Sequence, residues 1–258
     1  MDLIEATDTA QHHRHPWEQA RLWVLRQLIA QRVMLSPGST VVDIGCGDAF
    51  VIGSLAATFP ATEFIGVDAA FTPDIVKAQQ QHLPPNVHLV QEMNNVPTSL
   101  PASLILLMDV LEHVDDDGGF LNDILGRPIA GPATQLIVTV PAYQSLFSSH
   151  DVFLKHFRRY TNRQLRMRLE GAGLRVLDIG YFFASLLPLR IAEVIGERLL
   201  PPPTHKTGTG LSTYAGGPIK SGILSSILKA DAYTSLTLRR IGISIPGLSN
   251  YAICRTSA

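Results

Sequence analysis

The stretch that decides the fold is Thr40–Ala49, which reads TVVDIGCGDA. It opens with an apolar and β-branched run that is too short for a helix, and such a run is typical of a buried parallel strand. Gly45 and Gly47 follow, and glycines there allow a tight turn that brings backbone N–H groups close to a ligand. A helix-compatible segment, Phe50–Phe59, comes next. This strand–turn–helix order is the context that a nucleotide-binding loop requires.

A second strand with an acidic tip lies one β–α unit further along the chain. Residues 63–70 read EFIGVDAA, another short apolar run, and it closes with Asp68. An acid at the tip of the second strand is where the hydroxyl groups of a ribose would be held. The glycine loop and the acidic tip together predict an adenosine site.

Three motifs in order resemble those of the class I S-adenosylmethionine-dependent methyltransferases. VVDIGCG resembles their first motif and IGVD their ribose-binding second motif. LLMDVLEHV, at Leu106–Val114, resembles the fourth-strand motif of the branch that methylates small molecules and quinone precursors. The resemblance implies an α/β fold with a doubly wound, mostly parallel sheet of seven strands, the last of them antiparallel. It also implies S-adenosylmethionine as the cofactor and an activity of class EC 2.1.1.

The resemblance extends to the residues that contact the cofactor. Family members place an acidic or polar residue after the third strand to meet the adenine amino group, and Glu92 and Met93 occupy that place here. The family often has a third glycine two residues after Gly47, where this chain has the small Ala49. The implied cofactor-binding set is Asp43, Gly45, Cys46, Gly47, Asp68, Ala69, Glu92, Met93, Asp109 and Val110.

Two other classes of protein remain alternatives, a nucleotide-dependent oxidoreductase of the Rossmann type and a non-catalytic cofactor-binding module. The dinucleotide fingerprint has a glycine or alanine where the helix begins. Here Gly47 is followed by Asp48, Ala49 and Phe50. Asp43, just before the loop, better suits a cofactor with a cationic amino-acid end.

The composition indicates one large α/β domain with a sizeable core. Of 258 residues, 46% are hydrophobic and only 17% charged. The 21 basic and 22 acidic side chains nearly cancel, so no basic stripe for nucleic acid is expected. Cys46 and Cys254 are expected to be small buried hydrophobes. An acidic N-terminus without an apolar core, and no charge-free apolar run of membrane-spanning length, predict a cytoplasmic protein.

The N-terminal residues 1–36 are predicted to form a helical cap on a single domain that spans residues 1–258. Residues 12–33 show helical spacing, and Pro16 suits a first helical position. In related methyltransferases such a segment folds over the cofactor mouth, so Trp17 and Arg21 are candidate substrate-binding residues. A solvated turn with a packing tryptophan is the alternative.

Residues 183–247 are predicted to be a helical insertion before the last strand. Loops of this length in compact domains are usually functional or disordered, so a substrate lid, a membrane-facing lobe and disorder all remain open. Peripheral membrane contact is therefore compatible with the sequence. The expected elements are a helix at 184–200, a loop at 201–222, a second helix at 223–240, and a hairpin between strands at 174–181 and 250–255.

The segment 141–160, PAYQSLFSSHDVFLKHFRRY, carries the candidate catalytic groups. It follows the fifth strand and so borders the crevice where open α/β sheets bind ligands. His150 is the predicted general base because imidazole titrates near neutral pH. Asp151 or another nearby carboxylate is expected to orient it, and a direct pair with Asp151 requires a turn there because adjacent residues do not face each other on a helix. His156 and Tyr143 are further candidates.

A histidine base favours a hydroxyl acceptor. The sequence therefore predicts O-methylation of a small-molecule or lipid-like acceptor with an apolar part. His113 and Tyr160 are candidate substrate-binding residues, and the oligomeric state is open.

The run DVLEHV resembles the E-x-x-E-H cluster that binds a divalent ion in some methyltransferases acting on quinone precursors or small RNAs. In this chain the corresponding ligands would be Asp109, Glu112 and His113, with His150 as the downstream histidine. Many methyltransferases carry E-H at this place without a metal. No metal is therefore assigned to these residues, and whether a divalent ion binds them stays open.

Overall fold

Seven strands form one sheet at the centre of the molecule. A computed structural model describes residues 14–97, 101–199 and 217–256. The strands are β1 (Thr40–Ile44), β2 (Glu63–Val67), β3 (Val87–Val90), β4 (Leu104–Met108), β5 (Gln135–Pro141), β6 (Leu174–Phe182) and β7 (Ser249–Thr256).

The strand order is β3-β2-β1-β4-β5-β7-β6. β1 pairs in parallel with β2 and β4, β2 with β3, and β4 with β5. β7 lies antiparallel between β5 and β6, with a bulge in β6 between Val176 and Asp178. The predicted doubly wound sheet with an antiparallel last strand is confirmed.

Helices cover both faces of this sheet. They are α1 (Pro16–Arg32), α2 (Phe50–Ala56), α3 (Pro73–Gln80), α4 (Asp117–Leu125), α5 (Ser149–Phe153), α6 (Asn162–Gly171), α7 (Leu186–Leu199) and α8 (Pro218–Arg240), with 3₁₀ turns at Met93–Asn95, Leu111–His113 and Gln144–Leu146. α1 begins with a capping box in which His15 and Glu18 satisfy each other's backbone N–H groups. α6 begins with the predicted capping box between Thr161 and Gln164.

Two apolar cores lie on opposite faces of the sheet. Leu25 and Leu28 of α1, Ile52 of α2 and Leu228 of α8 belong to one core. Leu121 of α4 and Leu165 of α6 belong to the other. Neighbouring β4 residues alternate between them, since Leu104 and Leu106 face the first core and Ile105 and Leu107 the second. The strands therefore carry continuous apolar runs because both of their faces are buried.

The predicted insertion consists of two helices with different surroundings. α7 contacts the segment after β5, and Arg198 donates to the backbone oxygen of Ser145 at 2.8 Å. α8 instead packs on α1 and contributes Ala232 and Leu236 to the first core. α8 also begins at Pro218, so residues 218–222, expected in a loop, are helical.

Some predicted features lie outside the described residues. These include the start of the cap, residues 1–13, and most of the predicted loop at 201–222. Among the helices that the structure describes, none is long and apolar enough to cross a membrane.

Candidate active site

The crevice where the strand order reverses lies between β1 and β4. The chain runs outward from β1 through β2 to β3 and then returns to β4 on the other side of β1. Ligands in open α/β sheets bind outside the carboxyl ends of the strands at such a switch point. The loop after β1, Asp68 after β2 and Asp109 after β4 all belong to this edge.

The glycine loop is tied to the tip of β2. Gly45 and Cys46 both donate their backbone N–H to the carbonyl oxygen of Val67, at 2.8 and 3.1 Å. Gly47 donates to a carboxylate oxygen of Asp68 at 2.8 Å, and Ala70 donates to the other oxygen at 2.9 Å. The expectation that the loop brings unbonded backbone N–H groups to a ligand was therefore wrong at Gly45, Cys46 and Gly47, because the first two bind Val67 and the third binds Asp68.

Backbone strain and close packing explain the small residues of the loop. Gly45 and Gly47 have φ of +74° and +56°. A Cβ on Gly45 would lie 2.7 Å from Val110, so this glycine also makes room for the turn after β4. Ala49 has φ +59° at the start of α2. Its position is therefore one that glycine adopts more readily, which the sequence prediction based on size alone did not include.

Cys46 points away from the loop surface. Its Sγ would lie 2.8 Å from a Cβ on Gly66, so the thiol packs against the neighbouring strand. The side chain is buried, as predicted, and its backbone N–H is already bonded. The predicted cofactor contact of Cys46 is not supported by this geometry.

Asp43 is buried at the base of the loop. Its Oδ1 has no hydrogen-bond partner among the described residues. Burial raises the pKa of this carboxyl to about 7. A buried, unpartnered carboxyl oxygen fits a cationic ligand group, as the sequence predicted for the amino-acid end of the cofactor.

α1 delivers Arg21 to the carboxyl ends of β4 and β5. Arg21 forms an ion pair of 2.6 Å with Asp109, and it donates to the hydroxyl of Thr139 at 3.2 Å. Thr139 in turn donates to Asp109 at 2.9 Å. The guanidinium lies 4.3 Å from the ring of Trp17. The cap therefore reaches the crevice, and Asp109 is held by two neighbours with its backbone at φ +57°.

Asp151 binds several parts of the segment after β5 and α7 through its carboxylate. Its buried carboxylate accepts hydrogen bonds from Arg159 at 2.7 Å and from Arg190 of α7 at 3.2 Å, and it lies 2.9 Å from Nδ1 of His156. It also accepts the backbone N–H of Ser148 at 3.0 Å. Burial alone would raise the pKa of Asp151, but the hydrogen bonds from His156 and Arg159 outweigh it and hold that pKa well below its usual range.

The predicted pairing of Asp151 with His150 is wrong. The two residues are adjacent in α5, and adjacent side chains diverge on a helix. Lys155 adopts φ +58° just after α5 and reverses the chain, so that His156 returns to Asp151. Among the described residues the ring of His150 makes no hydrogen bond. Burial and then Arg190 lower the pKa of His150 below its ordinary value.

Glu112, His113 and His156 form a cluster whose ligand atoms all lie within 4.8 Å of one another. The rings of His113 and His156 meet edge to face at 4.6 Å. Neither carboxyl oxygen of Glu112 has a partner in the described part of the chain. Burial, and then Asp109, raise the pKa of Glu112 well above its ordinary value. The donor types suit a divalent ion. Glu112 and His113 were expected in such a set, but the second histidine of the cluster is His156, where the sequence pointed to His150.

Two tyrosines expected at the site have structural environments. Tyr160 is buried and donates to Asp117 at 2.7 Å, which contradicts its expected contact with substrate. Tyr143 stacks on Tyr181 at 5.2 Å. Burial and then the hydrogen bond with Tyr181 raise the pKa of Tyr143 far above its ordinary value. Tyr143 is therefore a poor general base at neutral pH.

The remaining predicted cofactor residues are exposed or half-buried. Ala69 and Glu92 are exposed, and Met93 is half-buried at the start of a 3₁₀ turn. Their contact with adenine stays a prediction.

Sequence reasoning missed Thr139 and Arg190. Thr139 is a polar residue inside the apolar run of β5, which could have marked it as facing the crevice. Arg190 interrupts an apolar helix, but no local pattern connects it to Asp151, 39 residues earlier.

Comparisons with known proteins agree with this architecture. A model of the methyltransferase domain family matches residues 10–179. The chain is 28% identical over 100 residues to trans-aconitate 2-methyltransferase of Azoarcus sp., covering 39% of this chain and 38% of that protein. It is 22% identical over 197 residues to an uncharacterised 37.1 kDa protein of transposon TN4556 from Streptomyces fradiae, covering 73% of this chain and 53% of that protein.

This chain thus spans about half or less of the length of the curated relatives that it matches. A solved structure of a SAM-dependent methyltransferase from Archaeoglobus fulgidus has the same fold, with a TM-score of 0.50 over 93% of each chain at 18% identity. The family match covers well over half of the chain and includes the glycine loop, Asp68 and Asp109. The chain belongs to the class I S-adenosylmethionine-dependent methyltransferases.

Proposed function

We propose that the protein methylates a hydroxyl group of a small-molecule or lipid-like acceptor with an apolar part. The observation that carries this proposal is the crevice of Asp43, Asp68 and Asp109 at the switch point of a methyltransferase fold. When bound there, S-adenosylmethionine would supply an electrophilic methyl group on its sulfonium, and the neutral thioether S-adenosylhomocysteine would be the leaving group of the in-line displacement.

The residues of the loop edge have distinct roles in holding the cofactor. Asp68 is fixed by two backbone N–H groups, and its remaining lone pairs are available to ribose hydroxyls. Asp43 offers its unpartnered oxygen to the cationic amino-acid end. Gly45 allows the loop after β1 to pack directly against Val110, because a side chain there would clash with it.

The cap and β5 position the acceptor. Arg21 crosses from α1 to Asp109, and Trp17 lies beneath its guanidinium. Trp17 also contacts Phe183 with ring centroids 6.5 Å apart. This aromatic group is an apolar surface beside the crevice, and excluding water there favours a close, collinear approach of the acceptor.

His150 is the proposed general base. Its lowered pKa keeps the imidazole neutral at pH 7, able to accept the proton of the acceptor's hydroxyl. His156 is held by Asp151 and packs against His113, which suits a positioning role. A base at this place is expected to contribute roughly 10²- to 10⁴-fold to turnover.

An anionic acceptor is the second candidate, and Arg21 is the observation that favours it. One relative is named for trans-aconitate, and a guanidinium in the crevice is suited to bind a carboxylate. A carboxylate acceptor is already deprotonated at pH 7, so its methylation needs no base. The two candidates therefore differ in whether His150 matters.

Two measurements test the proposal. Calorimetric titration should show binding of S-adenosylmethionine that Asp68→Ala weakens at least tenfold, while Asp74→Ala in α3 leaves it unchanged. Transfer of labelled methyl groups to hydroxyl-bearing and carboxylate-bearing compounds should identify the acceptor. Then His150→Ala should lower turnover about 10²-fold or more for a hydroxyl acceptor. Turnover like that of the parent would support the carboxylate candidate. Binding of a nicotinamide dinucleotide without any response to S-adenosylmethionine would contradict the whole proposal.

A further inference from the structure

α8 is apolar on both of its sides. Leu228, Ala232 and Leu236 are buried toward the first core. Ile219, Ile223 and Ile227 point the other way, with 80%, 57% and 53% of their surface exposed. A helix that is apolar all round is usually covered on both sides. The outer side of α8 therefore has the composition of a contact surface.

The outer isoleucines lie in one line along the helix. They are spaced by four residues, which places them on one face. The same face holds the small residues Gly222, Ser226 and Ala230, so the surface between the isoleucines is low. A shallow groove of about 570 Å³ follows it, lined by Pro218, Ile219, Gly222, Ile223, Ser226, Ile227 and Ala230.

The charged side chains of α8 near this line are Lys220, Lys229 and Asp231. In residues 217–256 the sole acidic side chain is Asp231, and its carboxylate accepts the backbone N–H groups of Ala184 and Ser185 at 3.2 and 2.8 Å. Lys220 is exposed beside the first isoleucine. The other basic side chains of residues 217–256 are further away, because Arg239 and Arg240 end α8 and Arg255 lies in β7; Arg239 is also paired with Asp178 at 3.3 Å. Since 21 basic and 22 acidic residues balance over the whole chain, this region is locally cationic.

We propose that the outer face of α8, defined by Ile219, Ile223, Ile227 and Lys220, binds the surface of an anionic lipid bilayer. A helix with such a face lies parallel to the membrane surface at the level of the headgroups. Its isoleucines insert between the lipids and Lys220 contacts the phosphates. A second copy of the same face would bring Lys220 and Lys229 toward other cations. The charge pattern therefore favours lipid over self-association. This surface is separate from the crevice and does not depend on the proposed function.

Flotation with lipid vesicles tests the proposal on the full chain. The wild type should float with phosphatidylcholine vesicles that contain phosphatidylglycerol, and much less with phosphatidylcholine alone. The triple variant Ile219→Gln, Ile223→Gln, Ile227→Gln should bind the anionic vesicles at least tenfold more weakly. Lys220→Glu should bind them several-fold more weakly, and added salt should have the same effect.

A matched control replaces exposed apolar residues elsewhere. Met34→Gln, Met167→Gln and Leu177→Gln together remove three exposed apolar side chains outside α8, and vesicle binding should be unchanged. Equal urea midpoints and equal S-adenosylmethionine binding show that both triple variants are folded. Absence of wild-type binding to anionic vesicles, or the same loss in both triple variants, would overturn the proposal. A dimer in light scattering that the isoleucine variant abolishes, without vesicle binding, would assign the face to a second copy instead.

Discussion

Asp43 and Asp151 are both buried aspartates, and their surroundings oppose each other. Asp43 lies in the buried part of β1, one residue before the strand ends and the cofactor loop begins, and its Oδ1 has no partner among the described residues. Asp151, after β5, is surrounded by His156, Arg159 and Arg190. The pKa of Asp43 is raised to about 7 by burial, whereas hydrogen bonds outweigh burial at Asp151 and hold its pKa well below the usual range.

The difference separates two regions of the molecule. We call the loop around Asp43, Gly45, Gly47 and Asp68 the binding edge, and the contacts of Asp151 with His156, Arg159 and Arg190 the junction. A buried carboxyl without a partner costs free energy in the protein alone, and a cationic ligand group would remove that cost. A buried carboxylate that is bonded to two guanidinium groups, an imidazole and a backbone N–H group already has its polar partners. Its function is to hold α5, the turn at Lys155 and α7 together. The unpartnered oxygen of Asp43 thus lies where the cofactor is expected. The fully bonded carboxylate of Asp151, in contrast, holds the segment that carries His150 and His156.

Removal of the Asp151 carboxylate is expected to have the largest effect on stability. Asp151→Ala leaves the buried Arg159 without its ion-pair partner and leaves Arg190 with only the exposed Glu193, and breaking a buried ion pair typically costs about 3–5 kcal/mol. Urea unfolding at pH 7 measures the loss. Asp123→Ala, which removes a surface partner of Arg127, is the control and should cost about 1 kcal/mol or less. Similar losses in both variants would show that the junction does not depend on Asp151.

Stability should depend on pH in opposite senses at the two aspartates. The folded-state pKa of Asp43, about 7, lies above the unfolded value of about 4. The folded protein therefore keeps a proton that the unfolded chain loses, and stability falls as pH rises from about 4 to 7. Three pKa units correspond to roughly 4 kcal/mol as an upper bound. For Asp151, whose pKa is lowered, the stabilisation is present above about pH 4 and is lost as pH falls below it.

Asp43→Asn isolates the first of these effects. The amide has nearly the same shape and does not ionise, so the variant should gain stability over the wild type by a few kcal/mol at pH 8 and little at pH 5. Urea midpoints at the two pH values give the comparison. A difference between variant and wild type that is the same at both pH values would contradict a raised pKa at Asp43.

The sequence was sufficient for the binding edge because its signals are local. A strand, two glycines and a helix are consecutive, and Asp68 follows at β–α spacing, so their positions could be predicted without tertiary contacts. The junction is built from distant partners. Arg190 lies 39 residues from Asp151. The turn at Lys155 depends on a positive φ that is unusual for lysine and that no sequence pattern predicts. Adjacency in sequence favoured His150 as the partner of Asp151, but the chain reversal at Lys155 brings His156 to Asp151 instead.

The two histidines should differ in what their loss costs. His156→Ala removes a hydrogen-bond partner of a buried carboxylate, and such a loss costs about 1–3 kcal/mol. The ring of His150 makes no hydrogen bond among the described residues, so His150→Ala should cost about 1 kcal/mol or less. Urea unfolding of both variants at pH 7 gives the comparison. A larger loss for His150→Ala would mean that the assignment of the Asp151 partner is wrong.

The smallest expected effect concerns Ala49, which carries the strain of the binding edge. Its φ of +59° costs an alanine roughly 1–2 kcal/mol, a cost that glycine avoids. Ala49→Gly also removes a buried methyl group, which is worth about 0.8 kcal/mol. The two terms nearly cancel, so the unfolding free energy should change by about 1 kcal/mol or less, toward higher stability.

Ala20→Gly in the middle of α1 is the control, since it is equally buried but helical. There the lost methyl group and the helix propensity of glycine act together, and the expected loss is about 2 kcal/mol. Equal losses at the two positions would show that Ala49 is not strained, and the third glycine of the family's motif would then have to be explained by packing alone.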